Sequence, residues 1–169
     1  RNVACAGGVP IGATNCLNFG NPQRPEIMWQ FARTVEGMGV ACRALDLPIT
    51  GGNVSLYNET DGRGVLPTPV IGVVGLIEDA DTTVRRAFRA SGDVVVLLGD
   101  SYDELGGSEY LTMAHGVVRG TPPALHLLGE AALQRVLVEG AAQRLIRSAH
   151  DCAEGGVAIT NVGSYRENH

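Results

Sequence analysis

Asn15, Asn53 and Ser55 are the side chains whose types and surroundings best suit chemistry on a phosphorylated ligand. Each stands among glycine and small polar residues, Asn15 within Gly12 to Pro22 and the other two within Gly51 to Glu59. A third stretch of this kind runs from His150 to Gly156. Glycine at such places, Gly52 included, lets backbone amides approach phosphate oxygens, and a strand end aims side chains into a crevice. Amide and hydroxyl oxygens suit Mg²⁺, a hard cation that takes oxygen ligands and keeps several waters. Two amides form a weak set by themselves, so either carboxylates from another domain complete the metal site or Asn15 serves a nucleotide. The same residues also fit tight turns, with glycine supplying only a positive φ and Asn15 satisfying local backbone.

Composition narrows the chemistry further. All 13 residues of the Lys+Arg count are arginine, so phosphate must be met by arginine, backbone N–H groups or a metal, and a P-loop lysine is excluded. A formal net charge of −5 argues against nucleic acid and anionic membrane as partners. Cys5, Cys16, Cys42 and Cys152 form no CxxC pair and follow no secretory leader, which reads as reduced thiols in a cytoplasmic protein. No apolar run reaches the roughly 18 residues of a membrane span.

The elements that must position these residues read as mixed α/β. Arg1 to Gly8 looks like the last turn of a helix closed by glycine, as if something preceded it. Ile11 to Phe19 reads as a strand that ends at Gly20-Asn21-Pro22. From Pro25 to about Leu45, apolar Ile27, Phe31, Val35, Met38, Cys42 and Leu45 recur every three or four residues, which predicts a helix with one buried face. Ile49 to Tyr57 reads as a second strand bent at Gly51-Gly52, Asn58 to Gly64 as a hairpin-like loop, and Val70 to Ile77 as a strand buried on both faces. Acidic Glu78 to Asp81 is the predicted boundary, followed by a short helical stretch. Val94 to Gly99 reads as a core strand and Pro123 to Ile146 as a long helix with Arg135, Arg144 and Arg147 on its solvated side. Ser148 to Cys152 fits a short strand or a turn, and Gly155-Gly156 opens a last helix.

Several strings carry a specific resemblance. Gly12-Ala13-Thr14-Asn15-Cys16-Leu17-Asn18-Phe19-Gly20-Asn21-Pro22, Met28-Trp29-Gln30-Phe31 and Gly52-Asn53-Val54-Ser55-Leu56-Tyr57-Asn58-Glu59-Thr60 resemble the second half of the phosphoribosylformylglycinamidine synthase family. Pro67 to Gly72, Leu105 to Tyr110 and Ala149 to Cys152 resemble it in the same order. The resemblance runs from Arg1 to about Ile159.

It implies an α/β (α+β) fold of the aminoimidazole ribonucleotide synthetase-like (PurM-like) type, which the family carries as two tandem copies. Residues 1–79 would be the latter part of the second N-terminal, ATP-binding domain and residues 80–169 an incomplete C-terminal domain. The implied activity is an ATP-dependent carbon–nitrogen ligase in purine biosynthesis. It joins ammonia from glutamine to formylglycinamide ribonucleotide, with the first repeat, a glutaminase subunit and a small accessory subunit as partners. Matched position by position, Asn15 and Gly52 would contact the nucleotide, Asn53 would bind Mg²⁺ and Ser55 the substrate. Many relatives carry aspartate where Asn15 stands, and after Gly155-Gly156 this chain departs from the apolar helix of its relatives. The family's catalytic histidines and acidic metal ligands lie in its first copy and match none of His115, His126, His150 and His169, so the isolated chain is expected to be inactive. Two other readings remain: another ATP-dependent synthetase of the same superfamily, and a noncatalytic nucleotide-binding or assembly module.

Overall fold

The computed structural model describes residues 1–100, 102–153 and 155–166. The chain opens with a one-turn helix, α1 (Asn2–Cys5), and turns at Gly7 into the central strand β1 (Val9–Asn18). Pro25 then starts α2 (Pro25–Ala44), where proline's fixed φ and missing N–H cost nothing in the first turn. Strand β2 (Ile49–Ser55) follows and pairs parallel with β1, completing a βαβ unit. Beyond it, β3 (Glu59–Thr60) and β4 (Arg63–Gly64) form a small hairpin across Asp61 and Gly62, both at positive φ. The long strand β5 (Thr68–Leu76) returns antiparallel to β1, so the main sheet runs β2-β1-β5 with β1 inside.

Alternation along β1 decides where the core sits. Ala13 and Leu17 are buried, as is Phe19 just past the strand, and Phe31 of α2 meets Phe19 edge-on with ring centroids 5.2 Å apart. The predicted apolar face of α2 is present but only half-buried, and Val35 is exposed.

After a 3-10 turn at Ala80–Thr82, the second half holds α3 (Glu109–His115), α4 (Leu127–Ala142) and α5 (Gly156–Arg166). Helix α4 buries Leu137 and Ala141 and packs against α1 and α2. Gly7 makes the α1 contact close: with φ +86°, any Cβ there would lie 2.9 Å from the Ala141 Cβ. A further tie between the halves is the Val84 N–H to the Ala6 carbonyl at 3.1 Å, and within the second half a parallel bridge joins Arg85 and Ser148. Among the described residues no helix is long and apolar enough to cross a membrane.

Three expectations are corrected and one helix is new. Strand β5 is exposed along its whole length, with Val70, Ile71, Val73, Val74 and Leu76 between 39% and 60% accessible. It is an edge strand, and no layer covers it among the described residues. Val94 to Leu98 forms no strand and is 45–87% exposed, because an apolar run needs a neighbouring ladder and none of the described strands lies beside it. Helix α4 begins at Leu127, not Pro123, since Pro122 and Pro123 hold the preceding chain extended. Helix α3 was not expected: Ser108 caps it by accepting from the Leu111 N–H at 3.3 Å, and Gly116 closes it at φ +65°.

Candidate functional site

The two glycine-containing segments around Asn15 and Asn53 lie side by side on neighbouring strands. The register pairs Asn15 with Gly52, Cys16 with Asn53, and Asn18 with Ser55. Registered partners share a face, so Asn53 and Ser55 stand on the face of Cys16 and Asn18, whereas Asn15 belongs to the face of Ala13 and Leu17 that the core covers. The pleat thus divides these oxygens between two faces of the sheet.

Gly52 is what lets them approach. Its φ is +151°, and a Cβ there would sit 2.2 Å from the Asn15 carbonyl oxygen and 2.5 Å from Asn15 Oδ1. The Asn15 side chain fills that space and reaches across the strand, its Nδ2 donating to the Asn53 carbonyl at 3.4 Å. Because β2 is the sheet's edge, a ligand lying along it could meet side chains from both faces. Beside this, Thr14 Oγ1 donates to the Gly51 carbonyl at 3.1 Å.

At the far end of the pair, Ser55 is half-buried beside a side chain that sequence reasoning assigned only to a polar loop. Asn58 Nδ2 lies 2.9 Å from the Ser55 carbonyl, 3.1 Å from the Phe19 carbonyl and 3.1 Å from Ser55 Oγ, and Ser55 Oγ donates to Asn58 Oδ1 at 3.2 Å. Tyr57, at φ +60°, turns the chain so that Asn58 points back. An asparagine just after a strand, with a side chain able to bond nearby backbone, is a signal available in sequence.

A second polar cluster joins the first residues of the chain to its second half. Arg1 Nε donates to Glu130 Oε2 at 2.6 Å, and Arg1 Nη2 pairs with Oε1. The Arg1 guanidinium holds the Glu130 carboxyl below its usual range. With its amide turned to donate, Asn2 Nδ2 lies 2.8 and 3.0 Å from the two Asp151 oxygens. His150 Nδ1 is 3.4 Å from Asp151 Oδ1. Adjacent residues of a strand would point apart, but residues 150 and 151 are not in a strand and their side chains meet. Burial, with Asp151 nearby, pushes the Cys5 thiol up. Arg1, Cys5, Glu130, His150 and Asp151 line a cavity of about 650 Å³ whose other walls include Val94 to Leu98, Leu133 and Leu137. Among the remaining histidines, His115 and His126 are exposed, and His169 lies outside the described residues. Among the described residues no group of three or more His, Cys, Asp or Glu is placed to hold a metal ion, so a cation here would rely on Asn53 and on ligands from beyond them.

Comparison with known proteins places these strands in a family. Residues 1–77 match the model of the AIR synthase related protein N-terminal domain, and residues 90–160 match that of the C-terminal domain. The chain is 57% identical over 159 residues to phosphoribosylformylglycinamidine synthase subunit PurL of Anaeromyxobacter dehalogenans, covering 94% of this chain and 21% of that protein. It is 52% identical to the same subunit of Moorella thermoacetica, covering 94% of this chain and 22% of that protein. The chain thus spans about a fifth of the length of the curated relatives it matches. Among solved structures, T. maritima PurL complexed with ATP superposes over 99% of this chain and 24% of its own, with TM-score 0.66 and 17% identity, a likeness of fold alone.

Proposed function

The chain belongs to the AIR synthase related protein family, and from that premise we propose that it is a segment of phosphoribosylformylglycinamidine synthase, contributing nucleotide, magnesium and substrate contacts. In the whole enzyme the reaction would use ATP to activate the amide oxygen of formylglycinamide ribonucleotide, after which glutamine-derived ammonia displaces the phosphate. Asn15 and Gly52 would meet the nucleotide, Asn53 would give its amide oxygen to Mg²⁺, and the Ser55 hydroxyl would meet the substrate. The first repeat, a glutaminase subunit and a small accessory subunit would complete the assembly, in the cytoplasm. Residues 1–79 and 80–169 would be the two domain portions, joined at the acidic stretch Glu78 to Asp81.

One observation carries this reading: the pairing of Asn15 with Gly52 puts the two segments that resemble the family's site on adjacent strands at an open sheet edge. Two segments separated by 37 residues in sequence thereby become neighbours along one sheet edge, with Asn15 on one face and Asn53 and Ser55 on the other. Amide oxygen on a hard cation, a glycine where backbone must approach a ligand, and a hydroxyl beside them form a consistent donor set.

Calorimetric titration with ATP, with and without Mg²⁺, tests it. Binding should depend on Mg²⁺, and Asn53→Ala should weaken it by about tenfold, the value of one metal-directed contact. Mg²⁺-independent binding, or an Asn53→Ala variant that binds like the parent, would overturn the metal assignment; no binding at all would favour an assembly module.

A further inference from the structure

We propose that Asn58 is a positioning residue that sets the Ser55 hydroxyl as a hydrogen-bond acceptor towards an N–H or O–H of the substrate, an inference that rests on the reading of Ser55 above. The Asn58 amide has two N–H groups and one oxygen to satisfy. Its Nδ2 lies 2.9 and 3.1 Å from two backbone carbonyls, of Ser55 and Phe19, which are better acceptors than a hydroxyl. Nδ2 also lies 3.1 Å from the Ser55 Oγ, but with both of its N–H groups taken by those carbonyls the hydroxyl is left to donate to Oδ1, at 3.2 Å. A serine hydroxyl has one proton and two lone pairs, so once the proton is committed to Oδ1 the oxygen can only accept from a ligand.

The consequence is selectivity by chemical type. A phosphate or carboxylate oxygen offered to this Oγ would find no donor, whereas an amide N–H or ribose O–H would. Asn58 can hold this arrangement because it is fixed at both ends: its own N–H donates to the Phe19 carbonyl at 3.1 Å, and its carbonyl accepts from the Val65 N–H at 3.0 Å. The same side chain therefore ties the ends of β1 and β2 and orients Ser55. These two roles use different atoms, Nδ2 for the tie and Oδ1 for the orientation.

That division makes the idea testable in the full-length synthase, reading KM for formylglycinamide ribonucleotide, KM for ATP and the melting temperature. Asn58→Ala removes both roles and should raise KM for the ribonucleotide about tenfold, the scale of one hydrogen bond, with KM for ATP changed less than about twofold. Asn58→Asp loses the Nδ2 tie but keeps an oxygen to take the Ser55 proton, so it should melt lower than the parent yet hold the ribonucleotide KM within about threefold. Equal rises in KM for both variants, or a KM that follows the melting temperature, would overturn the orienting role. Ser55→Ala separates the two readings. If it leaves the ribonucleotide KM unchanged, the substrate assignment of Ser55 fails and takes this inference with it. If it raises KM while Asn58→Ala does not, only the inference on Asn58 fails.

Discussion

Gly52 shows most plainly how one residue shapes the candidate site. It occupies a backbone conformation that side chains avoid, and the space its missing Cβ leaves is taken by Asn15. Gly52→Ala should therefore lower the melting temperature by roughly 3–10 °C, from strain of about 1–3 kcal/mol before any clash is counted. An alanine variant that melts with the parent would show that the strand relaxes freely there. Glu130 offers a second test at this scale. Because the Arg1 hydrogen bond lowers its folded pKa, the pair adds stability above the unfolded carboxylate value of about 4.3 and loses it as pH falls through the lower folded value. Glu130→Gln should flatten the acid limb of a melting-temperature profile below about pH 4.5. An acid limb as steep as the parent's would remove Glu130 from the account. Asn15 and Ser55 could be singled out from type and neighbours, whereas Asn58 offered only the generic signal of an asparagine just after a strand, because its aim at Ser55 depends on the turn at Tyr57 that sends its side chain back.

At the scale of elements, periodicity located what is held by its own neighbours. The β1-α2-β2 unit, the hairpin and α5 stand close to where apolar spacing, proline and glycine put them, since a proline-started helix and a glycine-broken strand are local instructions. Val94 to Leu98 and β5 follow a different logic. Both are apolar enough to read as buried strands, yet burial requires a partner surface, and β5 has one neighbour while residues 94–98 have none among the described strands. Limited proteolysis should consequently cut first between Ala90 and Asp100, where the backbone lacks a ladder, and later within β1 to β5. A first cut inside residues 9–76 would contradict that ordering.

For the whole molecule, the proposed nucleotide surface on β1 and β2 lies in the first half of the chain, whereas the described histidines, exposed His115 and His126 and the His150 beside Asp151, all belong to the second. Supplied with ATP, Mg²⁺, ammonia and formylglycinamide ribonucleotide, the chain should form no product in a coupled phosphate assay, because proton transfer needs groups within hydrogen-bond reach of the reacting atoms. Measurable turnover would refute the proposal that those groups lie outside residues 1–169. What the sequence by itself determined was the alphabet of the site and the family: glycine, amide and hydroxyl types in long, ordered strings, together with the elements that apolar spacing and turn residues dictate locally. Only the tertiary structure decided that Asn15 pairs with Gly52 across 37 residues of chain, that the pleat sends Asn15 and Asn53 to different faces, and that Asn58 holds Ser55. Register and facing arise from contacts between segments distant in sequence, and a residue's type carries no record of which partner it will meet.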